Sequence, residues 1–244
     1  MARLSVNLNA VAQLRNRRSV GWPDVTRIGR LALDAGACGL TVHPRPDERH
    51  IRRTDVFELK TLLDAYPSAE YNIEGYPAER FLELVETVRP DQVTLVPDDP
   101  AQSTSDHGWP IPQHESLLRE TIARLHEADI RVSVFIDEDP DMPARAHALG
   151  ADRVELYTGP YGAAHGTVAA NAHLAKLAET ARAARAVGLG INVGHDLTLA
   201  NLPAFVTAMP PFDEASIGHG ITADALEMGF PDAVRRYCAV LGIR

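Results

Sequence analysis

His43, Glu74, His195 and His219, with the basic stretch 43–53, are the residues whose types suit proton transfer on anionic small molecules. Imidazole and carboxyl groups move protons near neutral pH once their surroundings tune them. The stretch HPRPDERHIRR carries four arginines and two histidines in a chain whose formal net charge is −9. Guanidinium offers paired planar donors that match phosphate or carboxylate. Arg45 and His50 are assigned that task, whereas Arg52 and Arg53 read as solvated charge. A second anion seat is expected at SIGHGITADAL, where Gly218 and His219 precede a helix that Thr222 would cap. Free backbone N–H groups at a helix start hold phosphate well.

The elements that must position these residues follow one rhythm. Short β-rich runs at 4–9, 39–43, 70–74, 92–97, 131–137, 153–158, 190–195 and 215–219 alternate with helical patterns. The helices are expected at 24–35, 55–65, 78–88, 115–128, 142–149, 168–187, 199–208 and 223–240, the last interrupted. Pro23, Pro77 and Pro143 stand at helix starts, where a missing N–H costs nothing, and Gly36, Gly150, Gly188 and Gly242 where helices stop. The strands read as apolar runs buried on both faces, as in a parallel sheet. Eight such units without a break in composition predict a single (β/α)₈ TIM barrel over 1–244, with short extra helices on the βα loops. A doubly wound open sheet is the alternative, but no glycine-rich dinucleotide fingerprint follows the first strand. Barrel sites lie at the carboxyl ends of the strands. That end gathers Asn7 and Asn9, His43, Glu74, Asp98 on the way to Thr104, Asp137, Tyr157 and Thr158, His195 and His219.

Composition narrows the chemistry. The acidic charge argues against a nucleic-acid partner, and no apolar run approaches a membrane span. MARLSVNLNAVAQLRNRR lacks the apolar core of a secretory signal. Cys38 and Cys238 read as two buried free thiols, which suits a reducing cytoplasm. The two lysines, Lys60 and Lys176, fall inside helices, so a Schiff-base aldolase is not expected. The first strand has no His-x-His pair. Three ligands from His43, Glu74 and His195 could still hold zinc or iron; the main reading has no metal and no organic cofactor.

The phrases VNLNAVAQLRNRR, GLTVHPRPDERHI, YNIEGYP, TLVPDDPAQSTSDHGW, VSVFIDEDP, VELYTGPYG, NVGHDLT and SIGHGI occur in order along the chain. In that order and spacing the chain resembles the pyridoxine 5′-phosphate synthase family from about residue 4 to residue 240. The resemblance implies a (β/α)₈ barrel assembled as an octamer and working without cofactor. It implies condensation of 3-amino-2-oxopropyl phosphate with 1-deoxy-D-xylulose 5-phosphate, releasing pyridoxine 5′-phosphate, phosphate and water. Carried across by position, His43 and Glu74 would be proton acceptors and His195 the proton donor. Arg45, His50 and Thr104 would meet the deoxyxylulose phosphate. Asn7, Arg18, Asp196 and the pair Gly218–His219 would meet the amino-ketone phosphate.

Four positions depart from the family pattern. Asn9-Ala10 stands where Asp-His is expected, Asp196 where glycine is common, and Tyr157 where histidine is frequent. Two other readings follow: a barrel lyase or isomerase acting on another sugar phosphate, or a non-catalytic phosphate-metabolite binder. The binder would not need His43, Glu74 and His195 together at strand ends. The segment 98–113 is a candidate lid.

Overall fold

A computed structural model describes residues 2–98 and 105–243. Strands β1 (Arg3–Asn7), β2 (Gly39–Val42), β3 (Glu70–Gly75), β4 (Gln92–Leu95), β5 (Arg131–Ile136), β6 (Arg153–Tyr157), β7 (Gly190–Gly194) and β8 (Glu214–Ile217) form one closed parallel barrel. They pair in sequence order, and β8 closes on β1 with Ser216 opposite Ser5. Every strand expected from the sequence is present, most of them shorter at the carboxyl end.

The strands are buried on both faces but are not uniformly apolar. Residues alternate along each strand. One set, including Leu4, Val6, Leu40, Val42, Ile73, Val93 and Leu95, is fully buried in the apolar core that the outer helices cover. Each such side chain contributes about 1.5–3 kcal/mol through burial. The other set is polar and partly linked by hydrogen bonds, although Gln92 Nε2, Ser133 Oγ, Glu155 Oε2 and Ser216 Oγ are buried with no hydrogen-bond partner among the described residues. Ser5 and Thr41 hydroxyls lie 2.7 Å apart, and Thr94 donates to Asn72 at 3.1 Å. Where the strands begin, Glu70 pairs with both Arg3 and Arg131, and Arg153 donates to Asn192 at 3.1 Å. The apolar-run reading was therefore wrong for one face. For Ser5, Thr41, Asn72, Thr94 and Asn192 the neighbouring strands supply hydrogen-bond partners.

The helices are α1 (Asn9–Asn16), α2 (Val25–Asp34), α3 (Arg53–Leu63), α4 (Glu79–Val88), α5 (Ile111–Glu127), α6 (Met142–Ala148), α7 (Gly159–Ala163), α8 (Ala169–Ala186), α9 (Leu202–Ala208), α10 (His219–Met228) and α11 (Phe230–Val240). Asp24 caps α2 by accepting from the Arg27 N–H at 2.9 Å. Gly29 lets α2 sit close to the barrel, since a methyl group there would lie 3.1 Å from side-chain carbons of Leu40 and Leu59. Gly36, Gly150, Gly188 and Gly242 have positive φ and end helices as expected. The last helical region does break, at Gly229. Helices α1 and α7 are short additions on βα loops, and α10 is a third extra helix, between β8 and α11.

Three local expectations fail. Pro23 and Pro77 each lie one residue before the N-caps Asp24 and Ala78, so of the three prolines only Pro143 stands in a first turn. Asn9 begins α1 rather than ending β1. Thr222 lies within α10, whose N-cap is Gly218, so Thr222 does not cap it. Lys60 and Lys176 fall in α3 and α8, as expected.

Candidate active site

The rim at the carboxyl ends of the strands is assembled by short contacts between loops. Asn7 ends β1; its Oδ1 accepts from the Asn9 N–H at 3.0 Å, and its Nδ2 reaches Glu74 Oε2 at 3.4 Å. Asn9 Oδ1 accepts the His43 N–H at 2.9 Å, which fixes the backbone where β2 ends. Asn9 thus has a local task in holding His43.

His43 is buried, with Nδ1 3.9 Å from Glu74 Oε2 and Nε2 3.2 Å from Asp98 Oδ2. Burial holds its pKa well below the usual imidazole value, and the positive charge of Arg45 adds to this. Glu74 is pushed the other way. Burial, then the nearby Asp98 and Glu214 carboxylates, raise its pKa to about 8. At neutral pH an unprotonated imidazole therefore faces a carboxyl group that still holds most of its proton.

Arg45 is buried and lies 2.6 Å from Asp98 Oδ2. Its loop is anchored from below by α1. The buried Arg15 guanidinium pairs with both Asp55 oxygens, at 2.5 and 2.9 Å, and donates to the His50 carbonyl at 3.1 Å. Asn16 donates to the same carbonyl at 2.7 Å. His50 Nδ1 accepts the Ile51 N–H at 2.9 Å, so the proton of the neutral ring sits on Nε2. Burial, followed by Arg45 and Arg49, brings the His50 pKa down to about 4. Beside His43, Arg45 and Asp98 opens a cavity of about 670 Å³, with Arg49, Arg53 and Tyr76 further out.

Across the barrel, His195 follows β7 and packs edge-on to Tyr157, ring centroids 5.3 Å apart, with Phe135 also at 5.3 Å. Burial lowers its pKa, the neighbouring Asp196 charge opposing. His195 and Asp196 both adopt left-handed backbone, with φ of 74° and 54°. Such conformations cost energy for residues other than glycine and gather at functional sites. The Thr158 hydroxyl donates to the carbonyls of Gly194 and His195, and Asn201 donates to that of Asp196 at 2.8 Å, so both residues are held in place. The positive φ also explains why glycine would be common at 196. The Asp196 side chain is exposed.

Gly218 packs against the end of β1: a methyl group there would lie 3.0 Å from the Asn7 Cβ and carbonyl oxygen. His219, the first residue of α10, is exposed. Arg18 lies exposed in the turn after α1, and among the described residues the contacts that join the rest of the rim do not include it. Thr104 falls outside the described residues. Of the expected lid, the later part is anchored: the Gly108 N–H donates to Asp137 and the Trp109 indole to the Leu95 carbonyl, both at 2.9 Å.

The structure also brings in carboxyl groups that the sequence reading passed over. Glu155, on β6, is fully buried, and burial together with Glu74 and Glu214 raises its pKa well above the usual range. Glu214 is raised by burial to about 7. The Glu155 Oε1 fills the space a side chain at Gly194 would need. Alternation along RVELY could have flagged Glu155 as facing inward. Among the described residues no three His, Cys, Asp or Glu side chains are grouped so as to hold a metal ion.

A closed parallel barrel whose rim holds tuned imidazole and carboxyl groups beside buried arginine belongs to the class of (β/α)₈ enzymes. Residues 4–242 match the family described as "Pyridoxal phosphate biosynthesis protein PdxJ", and the chain belongs to that family. It is 58% identical over 242 residues to a pyridoxine 5′-phosphate synthase of Brucella anthropi, covering 98% of this chain and 99% of that one. A pyridoxine 5′-phosphate synthase of Chelativorans sp. is 58% identical over 239 residues, covering 96% of each chain. Among solved structures, a phosphoribosylanthranilate isomerase of Thermotoga maritima superposes with a TM-score of 0.60 at 13% identity, covering 98% of both chains. That likeness concerns the fold.

Proposed function

We propose that the chain is a pyridoxine 5′-phosphate synthase that condenses 3-amino-2-oxopropyl phosphate with 1-deoxy-D-xylulose 5-phosphate by acid–base catalysis. The observation that carries this reading is identity of 58% to synthases of that name along nearly the whole length of both chains. Building a pyridine ring from an amine and two carbonyl compounds needs imine formation, proton shifts, loss of phosphate and water, and a carbon–carbon closure. Each step moves protons.

The tuned rim supports the division of labour. Neutral His43 is ready to accept a proton at pH 7. Glu74 becomes an acceptor as its carboxyl ionises, and a substrate ammonium group beside it would favour that ionised form. His195 is neutral at rest, so it donates only after taking a proton in an earlier step. Arg45, His50 and Thr104 are assigned to the deoxyxylulose phosphate. Asn7, Arg18, Asp196 and the N–H groups from Gly218–His219 are assigned to the amino-ketone phosphate.

Incubating the purified protein with both phosphorylated substrates should produce pyridoxine 5′-phosphate, followed by absorbance. A folded protein that makes none overturns the reading. Arg45→Ala should raise KM for the deoxyxylulose phosphate by about 10²-fold, the effect of losing a buried guanidinium–phosphate contact, with kcat changed little. A fall confined to kcat would move Arg45 from anchoring to the transition state.

The reading extends to an octameric, cytoplasmic enzyme. Trp22, Val168 and Leu226 are strongly exposed apolar side chains available for contacts between copies. Cys38 and Cys238 are free thiols that both approach the Gly36 carbonyl, Cys238 buried as expected but Cys38 only half-buried, which suits a reducing compartment. Sedimentation of a monomer at micromolar concentration would overturn the oligomer.

A further inference from the structure

Asp98 has no part in the roles assigned above, yet it sits between two of their principal actors. Its side chain is only 7% exposed, and its Oδ2 lies 2.6 Å from the Arg45 guanidinium and 3.2 Å from His43 Nε2. That oxygen is within ion-pair range of both groups but is aligned for a hydrogen bond with no described residue. A buried carboxylate oxygen that is attracted but not bonded marks a seat that another oxyanion would fill better. Arg45, Asp98 and His43 all line the 670 Å³ cavity, so the seat opens onto space for a ligand. Burial raises the Asp98 pKa, Ser105 and Arg45 opposing, so a neutral carboxyl is within reach once a second anion arrives.

We propose that Asp98 is a positioning residue: it occupies the phosphate seat on Arg45 in the ligand-free protein and sets the tautomer of the neighbouring His43. The inference rests on the assignment of Arg45 to a substrate phosphate and of His43 to proton transfer. A phosphate has three oxygens to offer the guanidinium fork, where Asp98 presents one poorly aligned atom. Phosphate therefore displaces the carboxylate from Arg45, and a neutral ligand of the same shape does not. The His43 contact acts through electrostatics. A carboxylate 3.2 Å from Nε2 favours a proton on that nitrogen and repels its lone pair. The Nδ1 lone pair is then left on the side of Glu74, 3.9 Å away. Asp98 thereby points the basic nitrogen toward the carboxyl with which it would share protons.

Asp98→Asn tests both halves without turnover. Calorimetric titration with inorganic phosphate should show binding about tenfold tighter in the variant, since the competing charge is gone. Nitrogen-15 spectra of histidine-labelled protein should show His43 protonated on Nε2 in the parent and a shift toward the Nδ1 tautomer in the variant. Asp98→Glu keeps the charge and should retain the parental tautomer and phosphate affinity; it serves as the comparison if the asparagine variant fails to fold, because its phosphate affinity must then match the parent. Unchanged phosphate affinity in a folded Asp98→Asn protein overturns the anion-seat half, and an unchanged tautomer overturns the positioning half. These results stand apart from the functional reading. A protein that makes no pyridoxine 5′-phosphate while Asp98→Asn still tightens phosphate would remove the assigned reaction and leave the role of Asp98.

Discussion

Glu74→Gln is expected to lower kcat about 10³-fold, within the range for losing a positioned proton acceptor, while the protein stays folded. Glutamine keeps the volume and can still accept from Asn7 Nδ2, now 3.4 Å from the Glu74 carboxylate. It cannot take up a proton. The stability change has a definite sign. Glutamate in an unfolded chain ionises near 4.5, whereas Glu74 in the fold holds its proton up to about 8. The unfolded state therefore loses the proton first, and Glu74 makes the fold progressively less stable as pH rises from about 4.5 to 8. Glutamine removes that loss. The melting temperature of the variant should match or exceed the parent near pH 8.5, with the gap closing toward pH 5. In the parent, kcat/KM should rise as pH approaches about 8, with no break near 6.5, because the pKa values of His43 and His195 are lowered. Retained turnover in Glu74→Gln would remove Glu74 from the chemistry. A melting temperature well below the parent at pH 8.5 would make its role structural.

The largest effect on stability is expected at Arg15. Arg15→Met leaves the buried Asp55 without its paired donor, which costs about 3–5 kcal/mol. For a chain of this size that lowers the melting temperature by roughly 10 °C. Replacing both partners, as Arg15→Met with Asp55→Leu, should recover much of the loss, because apolar groups of similar volume need no partner. The single variant should also raise KM for the deoxyxylulose phosphate, since Arg15 holds the His50 carbonyl and with it the arginine loop. Melting within a degree of the parent would show that the pair contributes nothing. An unchanged KM would separate the anchor from the loop.

The phase of the barrel could be read directly from residues such as Gly39–Val42 and Arg131–Ile136, where runs rich in β-branched residues begin at glycine or arginine and give way to His43 or Asp137. Helix stops were equally legible, since Gly36 and Gly188 need positive φ. Helix α1 was not, because Asn7-Leu8-Asn9 continues the alternation of β1 and only the turn at Leu8 ends it. Helix α7 was hidden by its own composition, GPYGA. Thr222 misled because the hydroxyl is a strong capping signal, while the chain turns into α10 at Gly218. Among the candidate residues, His43, Glu74 and His195 could be placed at the rim from strand ends. Glu155 was not, because a carboxylate within a strand normally reads as solvated, and Asp98 was placed at the rim without a role. Only closure of the barrel shows which carboxylates share a buried rim and shift one another's protons.

The seam between β1 and β8 has a further consequence. Gly218 lies against Asn7, so one part of the rim is made from residues near the two ends of the polypeptide. A chain emerging from the ribosome carries Asn7, His43 and Glu74 long before the strand that completes their surroundings exists. Contacts this distant in sequence form late and slow folding. Chemical competence should therefore appear in one step when β8 docks, so that an incomplete chain holds reactive side chains but no working reaction chamber.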